Sequence, residues 1–311
     1  MQHVQDWWSV LMSGSQPQTD EPARPIYSLR VVGTQFPILA SHLDTEQQPP
    51  AAPGNRLHLA IRIGIASRSK EPMRNEDTGV AFLSQINDGG ADAPLGFGLV
   101  ADGISGRWGG EYASSVAAQT VTEWVIERIS QEATADAPGR LDEESIRALL
   151  VHALNAAHDV VRSHLEGSGT TVTCAVVVDG SAHIAHVGDS RAYLMIGNRL
   201  HLLTRDHSLS HLLEEQGILD GRQTRGSLRR SFLYRSIGMH GELEVDLLTE
   251  VLEPGSLILL CSGGVWKALD DGQIAGIIAD CKDPQSVCEE LVQKALGLGR
   301  TDNATAIILL R

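Results

Sequence analysis

GLVADGISGRWGGEYASS, residues 98–115, changes character midway, and the fold is decided at that change. It enters as a short apolar run that stops at Asp102-Gly103, the pattern of a buried strand ending in a turn. After a Gly-rich passage it leaves as a helix, because Ala113, Val116, Ala117, Val121, Trp124, Val125 and Ile129 recur at helical spacing. A carboxylate at such a junction stands at the edge of a sheet, where residues from other strands converge.

Working outward, LHLAIRIGIAS (57–67) alternates as a strand, and TGVAFL (78–83) is a second short apolar run. A second amphipathic helix spans EESIRALLVHALNAAHDVVRSHLEG (143–167), with Gly167 placed to end it. TTVTCAVVVDGSAHIAHVGDSRAYLMIGNRLHLL (170–203) reads as an antiparallel meander with turns at Asp179-Gly180 and Gly197-Asn198. A helix is expected from Ser208, strands at LEVDLL (243–248), SLILLCS (256–262) and ATAIILL (304–310), and a helix near Ser286–Leu296. Hairpins on both sides of a helical pair predict an α+β fold of antiparallel sheets covered by helices.

Residues 1–57 differ in texture. QPQTDEPARP and DTEQQPPAAPG are Pro- and Gln-rich and read as flexible linkers. Between them IYSLRVVGTQFPIL is apolar enough for a short strand or a docking segment, and Trp7 and Trp8 are placed to begin a small amphipathic helix. The expected partition is therefore an N-terminal extension, 1–57, and one domain, 58–311.

Composition narrows the function. A net charge of -14 over 311 residues argues against nucleic acid and anionic membranes, which are bound by clustered Lys and Arg. No apolar run reaches the ~18 residues of a membrane span, and the first residues lack the basic and apolar regions of a signal peptide. The four cysteines form neither a CxxC pair nor a zinc spacing. A cytoplasmic monomer is the expectation.

The acids follow one rule. Glu76 and Asp77 precede an apolar run, Asp102 ends one, Asp189 follows AHVG, and Asp302 precedes the last strand. Any one alone is an ordinary turn residue or cap. Brought to one sheet edge they would repel unless a cation neutralised them, and oxygen-rich clusters suit magnesium or manganese. No G-x-S-x-G elbow points to a serine hydrolase, and His207 in TRDHS reads as the buttress of a turn rather than as a general base.

RNED (74–77), VADGISGRWGGEYAS (100–114), SGTT (168–171), HVGDSRAYL (186–194), LTRDHS (203–208), SIG (236–238) and DNAT (302–305) occur in one order. In that order they resemble the metal-dependent protein serine/threonine phosphatases, the PPM-type or protein phosphatase 2C family, especially its compact bacterial members. The resemblance covers about residues 58–311. It implies a four-layer α-β-β-α sandwich with a binuclear magnesium or manganese site at one end. Asp102 would bridge the two ions, and Gly103, through its carbonyl, and Glu76, through water, would complete one of them. Asp302 would bind the other ion, Asp189 a third and looser one, and Asp77 would organise the site from behind. Asp102 and Asp302 are then the catalytic pair.

Two departures accompany the resemblance. In LILLCSGGVW (257–266) Gly263 stands where the family places a ligand aspartate, and Lys267 brings a positive charge close by; Asp270 and Asp271 are too far along to substitute. Pro72 stands where the family places a phosphate-binding arginine, leaving Lys70 and Arg74 as the nearby cations. The expected activity is hydrolysis of phosphoserine and phosphothreonine in proteins, the substrates of a Ser/Thr kinase, weakened at one metal. The alternative is a pseudophosphatase that binds a phosphoprotein or regulatory partner without turnover.

Overall fold

The computed structural model describes residues 30–34, 61–70, 74–87, 92–104, 109–134, 141–218, 232–279, 281–299, 301 and 303–311. Their strands form two antiparallel sheets. The first holds, in spatial order, β1 (Arg30–Thr34), β3 (Asp77–Asn87), β4 (Asp92–Ile104), β6 (Val172–Val178), β7 (Ser181–Val187) and β10 (Asp246–Val251), with the short β5 (Gly169–Thr170) also paired to β4. The second holds β2 (Arg62–Ser69), β12 (Asn303–Leu310), β11 (Leu257–Cys261), β8 (Arg191–Ile196) and β9 (Arg199–Leu202).

The two-residue period of the strands sorts their side chains into three cores. Ala81, Val100 and Ile184 of the first sheet meet Ile258, Leu260, Ile307 and Leu309 of the second, all buried between the sheets. Alternate residues face outward. Phe82, Phe97 and Leu99 pack under α1 (Gly110–Thr134) and α2 (Glu143–His164). On the far side Leu259, Cys261 and Ile308 pack under α4 (Gly263–Trp266), α5 (Asp271–Ile278) and α6 (Pro284–Gly297). Each fully buried aliphatic side chain contributes roughly 1.5–3 kcal/mol through lost water contact. The result is the expected four-layer α+β sandwich, helix–sheet–sheet–helix.

Local chemistry matches the expected punctuation. Asp179 (φ 50°) and Gly180 (φ 78°) both have left-handed backbones, as a two-residue hairpin between β6 and β7 requires. Ser208 caps α3 (Leu209–Glu215), accepting the N–H of His211. The strand expected at 243–248 is shifted to Asp246–Val251, where it pairs with β7, and Leu243 and Val245 pack instead against the helix-side core. The outer edge of β2 is covered by Gln285 of α6, whose amide accepts from the Ile65 N–H at 3.0 Å and donates to its carbonyl at 2.9 Å. Such cover removes an edge that would otherwise template association.

Part of the N-terminal extension belongs to the sheet, since β1 pairs antiparallel with the outer edge of β3. Trp7, Trp8 and both linker sequences lie outside the described residues. A chain beginning at Arg56 is expected to keep one cooperative thermal transition, because, β1 apart, residues beyond Arg56 supply both sheets, their flanking helices and the three cores described above. It is also expected to self-associate more readily through the uncovered edge of β3. A non-cooperative melt would show that the extension is integral to the domain.

Candidate active site

The β3–β4 ladder places Asp77 directly opposite Asp102. Like charges facing each other across a sheet destabilise it, so both carboxylates need compensation. Asp77 is buried and accepts from the Ser262 hydroxyl at 2.6 Å and the Thr305 hydroxyl at 2.8 Å. The Asp102 carboxylate accepts from the Gly263 backbone N–H at 3.1 Å. Its backbone is fixed by SGTT: Thr171 N–H and Thr170 Oγ1 donate to the Asp102 carbonyl, and Asp102 N–H donates to Thr171 Oγ1.

Burial, more than any other cause, pushes the Asp77 carboxyl up to about 6, against the pull of the Ser262 and Thr305 hydroxyls. Burial likewise lifts Asp102 well above the usual carboxylate range; Asp77 and Asp189 add to the rise and Lys267 opposes it. Such mutual repulsion is what a divalent cation on oxygen ligands relieves. The Asp102 side of the site therefore fits a magnesium or manganese ion.

Gly103 sits where backbones crowd. Its N–H donates to the Glu76 carbonyl at 3.1 Å, and a Cβ there would lie 2.3 Å from the Gly110 carbonyl oxygen at the start of α1. Ser114 of α1 donates to the same Glu76 carbonyl at 2.6 Å. Asn303 ties the start of β12 to this corner, accepting from the Glu76 N–H at 3.2 Å and donating to the Arg74 carbonyl at 3.0 Å. Arg74 pairs with Glu111 in the first turn of α1 at 2.7 Å, its side chain 78% exposed. Lys70 is exposed just beyond β2, whose last residue, Ser69, pairs with Asn303. Asp302 lies outside the described residues.

Asp189 follows Gly188, whose φ of 115° is left-handed. His207 braces this turn: its N–H donates to the Gly188 carbonyl, its Nδ1 accepts from the Gly188 N–H, and its Nε2 faces Asp246 at 3.1 Å. With Nδ1 accepting, Nε2 carries the proton, so His207 is the expected buttress. Trp266 Nε1 donates to the Asp189 carbonyl at 2.8 Å. The Asp189 carboxylate meets the Lys267 ammonium at 2.7 Å.

Lys267 lies four residues after Gly263, and helical side chains at that spacing share a face and lean toward the N-terminus. A Cβ built on Gly263 would stand 2.7 Å from Lys267 Nζ and 3.1 Å from Asp102 Oδ2. The ammonium thus occupies the space into which a residue 263 side chain would project. Asp270 caps α5 through the Gln273 N–H, and Asp271 accepts from the Tyr193 hydroxyl, so neither substitutes for the absent carboxylate. Among the described residues no three Asp, Glu, His or Cys side chains converge as a ligand set.

Sequence reasoning passed over Ser262, Thr305, Ser190 and Trp266. The first three left only the signal of a small hydroxyl residue near a strand end, and Trp266 left none. Thr171 and Ser190 hydroxyls meet at 2.7 Å and join the SGTT and GDSR turns.

The protein phosphatase 2C family profile matches residues 66–221. The chain belongs to the protein phosphatase 2C family. The serine/threonine phosphatase stp of Listeria welshimeri is 28% identical over 261 residues, covering 82% of this chain and 96% of the relative. The S. agalactiae serine/threonine phosphatase superposes with a TM-score of 0.66 at 25% identity, over 81% of this chain and 99% of the other. The catalytic domain of the serine threonine protein phosphatase PstP, solved with two manganese ions, shares the fold at a TM-score of 0.60 and 23% identity, over 81% and 100%. Family members use manganese or magnesium, and metal-dependent phosphatase chemistry is the family's activity. Among the described residues no helix is long and apolar enough to cross a membrane.

Adjacent glycines at the helix start give a sharp test of this geometry. A Cβ on Gly263 meets side-chain ends, the flexible tip of Lys267 at 2.7 Å and Asp102 Oδ2 at 3.1 Å, whereas a Cβ on Gly264 would lie 1.8 Å from the Asn303 carbonyl oxygen. Gly263→Ala is expected to change stability by less than about 1 kcal/mol, and Gly264→Ala to cost about 3 kcal/mol or more by overpacking against backbone. Urea unfolding midpoints of the two variants give the comparison, and equal midpoints would refute the placement.

Proposed function

We propose that the chain hydrolyses phosphoserine and phosphothreonine in protein substrates supplied by a Ser/Thr kinase, with magnesium or manganese ions, at a reduced rate. The observation that supports this most is the facing pair Asp77 and Asp102, two repelling carboxylates held in register by β3 and β4. A chain with no use for a cation gains nothing from that arrangement.

Asp102, the Gly103 carbonyl and, through water, Glu76 would hold one ion, and Asp302 belongs to the position of a second, where Gly263 supplies no carboxylate. Such ions, when bound, lower the pKa of a water and neutralise phosphoryl charge. The protein's own part is positioning. Ser262 and Thr305 keep Asp77 oriented, the two threonines of SGTT hold the Asp102 backbone, and Arg74 at the α1 start offers a cation to substrate phosphate once Glu111 releases it. The reduction in rate is assigned to Gly263, since losing even an outer partner of a ligand costs about 10–100-fold in metal affinity or activity. We place this activity in the cytoplasm, on a monomer.

A second reading, a pseudophosphatase that binds a phosphoprotein or regulatory partner without turnover, is favoured by one observation: the Lys267–Asp189 ion pair beside Gly263. Manganese-stimulated hydrolysis of a phosphothreonine peptide separates the two. Asp102→Asn is expected to lower that rate by at least about 100-fold while leaving the thermal transition in place. Equal rates in wild type and variant would remove Asp102 from the mechanism, and no rate in a wild type that still binds the phosphopeptide would establish the second reading. Gly263→Asp combined with Lys267→Ala is expected to raise turnover above wild type, and more clearly than Gly263→Asp alone, whose new carboxylate would meet Lys267 first.

A further inference from the structure

Lys267 differs from an incidental surface lysine in three respects. Its ammonium is 2.7 Å from Asp189, whose side chain is only 6% exposed, while its own side chain is 31% exposed. It stands beside the Asp102 carboxylate, as the shared neighbourhood of Gly263 shows. The residue before it is locked, because Trp266 donates to the Asp189 carbonyl and its ring lies 3.6 Å from the Arg191 guanidinium carbon. Arg191 is itself fixed by two 2.9 Å bonds to the buried Asp206. These contacts hold the short helix in the position that sets Lys267 beside Asp189 and Asp102.

Asp102 and Asp189 face one another across this half of the site, and the Lys267 ammonium already stands between residue 263 and both of them. A second divalent ion sharing Asp102 would have to enter against the ammonium and without a residue 263 carboxylate.

We propose that Lys267 is a tethered cation that takes the place of the metal ion which would share Asp102 with residue 263, so that the chain binds one divalent ion rather than two. The inference rests on the phosphatase-site reading above for the location of the ions, and it goes further by naming what fills the altered half. It also changes the meaning of Gly263. The missing carboxylate and the added ammonium form one substitution, in which a mobile ion is exchanged for a covalently attached one. That half of the site is then independent of metal supply.

Counting manganese tests this without turnover, so a chain inactive on phosphopeptides leaves the result readable. Full-length protein at saturating manganese is expected to hold one tight ion per chain by elemental analysis after gel filtration, with the six-line spectrum of an isolated ion by electron paramagnetic resonance, and a count of zero would overturn the proposal. Two ions with a spin-coupled spectrum in the wild type would overturn the proposal. Lys267→Met, which keeps the length and removes the charge, is expected to gain one further ion per chain and to show coupling. An unchanged count in folded Lys267→Met would overturn it equally. Should that variant fail to fold, Lys267→Gln, which keeps a donor for Asp189, carries the same test with the same two outcomes.

Discussion

Asp77 facing Asp102 across one rung of the β3–β4 ladder is the constraint to which the rest of the site answers. Register in a sheet is fixed by the buried face, and a slip of one residue would turn every core side chain to the wrong side. Val80, Phe82, Leu95, Phe97 and Leu99 therefore hold the two acids opposite each other, whatever their repulsion costs. Everything around them offsets that cost. Hydroxyls from β11 and β12 satisfy Asp77, backbone N–H and threonine groups hold Asp102, and an ammonium stands nearby. Stability is spent to keep charge concentrated, which makes sense where a cation or a phosphate is to be bound.

The second sheet contributes as much to the site as the first, though it carries fewer of the acids. Ser262 follows β11, Thr305 lies in β12, and both reach across to Asp77 of β3. These bonds cross the inter-sheet core at its end, so the sandwich and the site share one set of contacts. A change that spreads the sheets there would loosen Asp77 before it exposed much apolar surface. The phosphatase chemistry of the family is in this sense a property of how two sheets are joined, not of one loop.

Much of this was legible in the sequence, and the physical reason differs from part to part. Strands and helices showed themselves because burial imposes periods of two and 3.6, and the acids because they sit where apolar runs end. The Asp179-Gly180 and Ser208 punctuation was readable because turn and cap chemistry is local. Strand β1 left only a weak signal: five residues that become a strand by pairing with β3 need little pattern of their own. Arg74 was legible as a cation near the site, but its pairing with Glu111 depends on α1 starting against Gly103, a contact between residues 37 apart. Ser262 and Thr305 meet Asp77 over separations of 185 and 228 residues, and no local pattern announces a hydroxyl's distant partner.

Gly263 was readable as an absence; the use made of the space was not. A glycine that merely lost its carboxylate would leave Asp102 and Asp189 to repel each other, and the simplest relief would be for either side chain to swing toward water. Neither does. A lysine side chain loses about 2 kcal/mol of rotamer freedom when held in place, and burying charge is costly unless it is paired. Those costs are met here by an ion pair to Asp189, by the neighbouring Asp102, and by a helix start that Trp266, Arg191 and Asp206 hold rigid. The i, i+4 spacing then carries the argument one step further. Because residue 267 leans back over residue 263, a side chain at 263 and an ammonium from 267 compete for the same volume. Glycine at 263 leaves that volume to the lysine, and the two positions act as one unit.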